Sequence, residues 1–136
     1  MNQSKPEQLF KEADQFLESA NNELQRPSQD VVTYSACQST RLALYKFLNA
    51  LAVIQSSDKN VILEPDLTLD QLITFCSQNS KEIRDIDFSS LQCSCVPVIN
   101  DEDQEEQMVY CTSVKKVQYC AKLAKEVKEI ATREMN

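Results

Sequence analysis

Apolar positions recur at helical spacing along most of this chain, and the pattern is most sustained between Asp30 and Ser56. That stretch, DVVTYSACQSTRLALYKFLNALAVIQS, spans about seven helical turns without a Pro or a Gly. On a helical period Cys37, Thr40, Leu44, Phe47, Leu51 and Ile54 form one stripe. Ala36, Ala43, Leu48 and Ala50 widen it. Leu42 and Val53 fall on the opposite side, among Ser39, Lys46 and Asn49. A helix apolar over this much of its circumference is the centre of a bundle, or is covered again by a partner subunit. Ser28 or Asp30 can cap its start. The polar run Gln55 to Asn60 predicts its end.

The same periodicity marks the other elements. Leu9, Phe10, Ala13, Phe16, Leu17, Ala20 and Leu24 predict a first amphipathic helix, entered at Pro6 with Ser4 as its cap and broken at Pro27. So short a link makes the first two helices antiparallel neighbours, Phe10, Phe16 and Leu17 packing on Leu44, Phe47 and Leu51. Residues 57–67 read as a loop pinned by Val61, Ile62 and Leu63 and fixed by Pro65. Thr68 caps a third helix with Leu69, Leu72, Ile73, Phe75 and Cys76 inward, and Asn79 suits a left-handed end. Between 81 and 112 the reading is a short helix near 84–93, an extended piece from Cys93 to Ile99, and a solvated acidic tip at 101–106. Ser113 opens a last helix reaching Glu134, with Val114, Val117, Cys120, Ala121, Ala124, Val127, Ile130 and Ala131 inward. The expected fold is an all-α, up-and-down bundle of four main helices plus a short extra helix, one domain over 1–136.

Composition narrows the chemistry. The chain has no Gly, which excludes glycine-rich phosphate loops and disfavours tight hairpins. It has no His, so the commonest general base and metal ligand is missing. A formal net charge of −7 argues against duplex DNA as a partner. There is no leader-like start and no apolar run long enough for a membrane span, so the expectation is a soluble, cytoplasmic protein whose six cysteines stay reduced.

Four features are candidates for chemistry. Tyr34, Gln38, Arg41 and Tyr45 form an aromatic-polar-basic-aromatic stripe beside the apolar one. It reads either as a ligand or partner groove or as the polar boundary of the core. Lys115, Lys116, Lys122, Lys125, Lys128 and Arg133 crowd the last helix. They make either a surface for an anionic partner or an exposed face with pairs such as Lys122–Glu126 and Lys125–Glu129. Cys93, Cys95, Cys111 and Cys120 have no standard zinc spacing, and Cys37, Cys76 and Cys120 fall on inner faces as small apolar residues. The carboxylates at Glu12, Asp14 and Glu18, and those of 101–106, match no di-iron or calcium pattern. No metal, cofactor or catalytic residue is expected.

EQLFKEADQFLESA followed by YSACQSTRLALYKFLNALA resembles the opening helix pair of HEPN domains. Gln38 and the segment Lys46 to Leu51 stand where that family has a Gln- and Ala-rich stretch and a Lys-Ala-Leu-type end. TLDQLITFC is similar to its third helix and SVKKVQYCAKLAKEVKEI to its closing one. The resemblance implies a bundle that often dimerises, association with nucleotides or RNA, and a nucleotidyltransferase partner. The family's ribonucleases place a His shortly after an Arg. Without His, none of Arg26, Arg41, Arg84 or Arg133 can head that motif. The expectation is a non-catalytic, HEPN-like homodimer with Leu42 and Val53 in the subunit contact and a nucleotide at Tyr34, Gln38, Arg41 and Tyr45. The alternatives are a pure protein-interaction bundle and a metal-dependent RNA-processing enzyme.

Overall fold

A computed structural model describes residues 5–27, 30–31, 33–60, 62–63, 66–88 and 114–135. Its elements are α1 (Lys5–Leu24), α2 (Thr33–Asp58), α3 (Leu69–Asn79), α4 (Lys81–Arg84) and α5 (Val114–Met135), with no strand among the described residues. The fold is an all-α helical bundle.

The central rod, α2, has α1 along one side and α5 along another. Leu24, near the end of α1, packs on Ala36 and Cys37 near the start of α2, while the Phe10 ring meets that of Phe47 edge-on at 5.1 Å. α1 is therefore antiparallel to α2. Val117 joins Leu24 and Ala36, and Lys128 reaches Asp14, which makes α5 antiparallel to α1 and parallel to α2. Cys37, Thr40, Leu44, Phe47 and Leu51 are buried as the stripe requires, and so are Ala36, Ala43, Leu48, Ala50 and Ala52. Each such Leu or Phe stabilises the fold by roughly 1.5–3 kcal/mol.

The ends of α2 differ from the expected ones. The helix starts at Thr33, so Asp30 does not cap it; the Asp30 amide instead donates to the Pro27 carbonyl at 2.7 Å. Ser28 lies outside the described residues. At the far end the helix runs on through Gln55 and Ser56, both buried, to Asp58. Their polarity suggested an end, but other helices enclose this turn as well. The helix closes at Asn60, whose φ of 59° supplies the left-handed turn. Ile54 is only half-buried.

α3 begins as expected. The Thr68 hydroxyl accepts from the Gln71 amide, and the Gln71 side chain accepts from the Thr68 amide. Leu72 and Cys76 are buried, and Leu69, Ile73 and Phe75 half-buried. Asn79 is not left-handed. Its amide donates back to the Phe75 carbonyl, and Ser80, in extended conformation, both ends α3 and caps α4. The short helix thus follows at once, at 81–84, and 85–88 are not helical, because Ser80 supplies a cap and Ile83 an anchor that is fully buried; residues 89–93 of the expected range lie outside the described residues. Ile62 does not pin its loop: it is 93% exposed, and Leu63 and Leu67 pack on the core instead. Val61, Pro65, Leu91, the piece from Cys93 to Ile99, the acidic run at 101–106 and Ser113 lie outside the described residues.

On α5 Leu123 joins the foreseen inner face, while Val114 is only half-buried. Its lysines are not tied to neighbours on their own helix at Glu126 and Glu129. Lys128 pairs with Asp14 of α1 at 2.6 Å, and Arg133 pairs with Glu82 of α4. Lys46 likewise joins α2 to Glu12 of α1 at 2.9 Å. That bond, then the Lys46 charge, then a bond from Gln8 hold the Glu12 carboxyl below its ordinary range, against a small opposing effect of burial.

Two outcomes test this packing. A depressed carboxylate stabilises the fold above its unfolded pKa, and the contribution fades as pH falls through the folded value. Lys46→Met should therefore raise the Glu12 titration toward 4.5, read by NMR, and remove stability near neutral pH but not in acid. Gln55 buries both polar atoms of its amide with no hydrogen-bond partner among the described residues. Gln55→Met should add roughly 1–3 kcal/mol of stability in urea denaturation, since an unpaired buried polar group costs about that much.

Candidate functional site

Tyr34, Gln38, Arg41 and Tyr45 all lie on α2, spaced so that their backbone positions share one stripe. Tyr34 is in the first turn, and its side chain lies outside the described residues. Gln38 is exposed and Arg41 half-buried. Tyr45 stands about 10 Å further along the axis than Gln38, by the helical rise. Its ring packs on the main core, and its hydroxyl donates to the Leu67 carbonyl at 2.7 Å. That bond ties the chain ahead of α3 to α2. Tyr45 thus has the ring burial and polar tip of a core-boundary residue, and it also walls a cavity.

The cavity has a volume of about 360 Å³ and lies between the start of α1, the second half of α2 and the chain ahead of α3. Lys5, Asn49, Ser56 and Asp66 give it polar groups, and Val53, Leu63 and Leu67 apolar wall. The Ser56 hydroxyl donates to the Val53 carbonyl at 3.0 Å and keeps its lone pairs as acceptors. Asn49 extends the Tyr45 stripe by one turn, so periodicity alone could have found it. Lys5 and Asp66 are remote in sequence and carried no such signal.

Other concavities border the bundle among the described residues. Asn21, Leu24 and Gln25 of the α1 end face Gln118, Lys122 and Lys125 across a cleft of about 400 Å³. A second, also of about 400 Å³, is a mainly apolar groove along α3, rimmed by Ile62 and floored by Leu67 and Phe75.

Cys37, Cys76 and Cys120 are buried and in no disulfide. Burial pushes the Cys76 thiol up to about 12. Its Sγ–H points to the Leu48 carbonyl at 3.4 Å, so it acts as a small core residue and not as a nucleophile. Cys93, Cys95 and Cys111 lie outside the described residues. Among those described, no three His, Cys, Asp or Glu side chains gather as a metal would need. Nor is any described helix long and apolar enough to cross a membrane.

The chain matches no protein-family model, and neither the curated proteins nor the solved structures hold a significant match to it.

Proposed function

We propose that this protein is a non-catalytic, HEPN-like binding and assembly module that works as a homodimer and binds a nucleotide along Gln38, Arg41 and Tyr45, with Tyr34 at the end of the stripe. One observation supports it most. α2 is enclosed on most of its surface, yet this stripe keeps Gln38 exposed and Arg41 and Tyr45 half-buried. Guanidinium, amide and phenol side chains are the groups that recognise phosphate and stack on a base. A nucleotidyltransferase fits such a module as its partner, because both would handle the same class of ligand. The Leu42 side chain, 37% exposed on the central helix, supports the dimer. Val53, on the same face beyond Lys46 and Asn49, is half-buried.

Titration calorimetry with ATP, GTP, CTP and UTP should give heat for at least one of them. Arg41→Ala should weaken that binding roughly tenfold, the weight of one charge-assisted contact. No heat for any of the four sinks the nucleotide reading. The dimer has its own test. Light scattering at micromolar concentration should return twice the 15.5 kDa chain mass, and Leu42→Glu should halve it without loss of helicity. A monomeric wild-type protein counts against the assembly.

A further inference from the structure

The cavity beside Tyr45 has a charge arrangement that the nucleotide reading does not use. Lys5 and Asp66, both exposed, line it together, so a side chain bearing an ammonium and one bearing a carboxylate border one concavity of about 360 Å³. They do not pair with each other, and neither takes part in the ion pairs found among the described residues, which join Arg26 to Glu23, Lys46 to Glu12, Lys128 to Asp14 and Arg133 to Glu82. Opposite charges that share a cavity without meeting leave each ready for a complementary group on a third molecule.

The neighbouring groups offer partners for charges of both signs. The Tyr45 hydroxyl is committed as a donor to Leu67, and that of Ser56 to Val53, so both turn acceptor lone pairs to any further partner. Acceptors of this kind, like the Asp66 carboxylate, suit an ammonium. Lys5 offers only donors, and the Asn49 amide adds two more, which suits a carboxylate. Val53, Leu63, Leu67 and the Tyr45 ring supply an apolar wall. The backbone at Asp66 adds a second sign. Its φ is 60°, in the left-handed region that a non-glycine residue enters at some conformational expense. Asp66, held in this conformation, lines the cavity.

We infer that this cavity binds a small zwitterion, an α-amino acid with an apolar or aromatic side chain, its ammonium at Asp66, its carboxylate at Lys5 and its side chain against Val53, Leu63 and Leu67. The two sites share Tyr45, but Gln38 and Arg41 take no part here, so Arg41→Ala, which should weaken a nucleotide, should leave this site unchanged.

L-Phenylalanine is the probe, and phenethylamine and 3-phenylpropionate are its one-charge analogues. Calorimetry and saturation-transfer NMR on the full chain should show L-phenylalanine bound roughly tenfold tighter than either analogue, as expected when each loses one charge-assisted contact. Asp66→Asn keeps a residue that tolerates the left-handed backbone. It should bring L-phenylalanine down to the level of 3-phenylpropionate. Lys5→Met keeps the apolar stem and should bring it down to that of phenethylamine. Circular dichroism checks that both variants remain folded. The proposal is overturned if L-phenylalanine does not bind, if an analogue binds as well, or if both folded variants bind it like the wild type.

Discussion

The enclosure of α2 is the constraint on which the other elements depend. Its buried residues span most of its circumference, from Ala36 and Ala43 through Phe47 and Leu51 to Leu48 and Ala52. A single helix can shield only one stripe of another, so a rod of this kind needs neighbours on several sides. α1 and α5 cover its length. α3 completes the second half, with Cys76 against the Leu48 carbonyl, and α4 packs on α3 and α5 with Ile83 sealed in the core. Small residues matter here as much as large ones. The alanines of α2 let neighbouring helices approach, while Phe47, Leu44 and Leu51 fill the space between them.

Polar groups inside this packing follow one rule, with one departure. The Thr40 hydroxyl donates to the Cys37 carbonyl at 2.8 Å, and the Ser56 hydroxyl to Val53, so each side chain is satisfied on its own helix. The charged pairs lie further out, between helices, where Lys46, Lys128 and Arg133 each reach a carboxylate of another element. Such half-exposed pairs add little stability, but they favour one register of the helices over its neighbours. Gln55 is the departure. It is nearly fully buried, its amide has no partner among the described residues, and the turn that carries it is held by the apolar residues around it.

The polar stripe of α2 changes character along its length. Near its start Gln38 stands in solvent, and the surface is suited to extended contact. At Tyr45 the stripe meets the chain ahead of α3 and closes into a cavity. The hydroxyl bond to Leu67 draws that chain over the helix, so Leu63, Asp66 and Leu67 become the cavity's outer wall. A tyrosine at the edge of a core thereby serves packing and enclosure together. Its ring anchors the core, and its hydroxyl positions the loop that shapes the site.

Helix content, order and inner faces were legible from periodicity, because an amphipathic helix writes its burial into the spacing of Leu9 to Leu24 or Val117 to Ala131. The Thr68–Gln71 capping box was half-legible: Thr68 could be read as the cap, but its reciprocal bond needed coordinates. Tertiary packing decided where α2 ends, since Gln55 and Ser56 look like surface residues until neighbouring helices cover them. It also decided that α4 starts straight from Ser80, where one residue could serve two helix ends. Of the stripe, the sequence determined that four residues lie along one line of α2. Only the folded chain decided that Tyr45 faces Lys5 and Asp66, because these come from separate segments and no local pattern records a meeting set by helix packing and a loop bond.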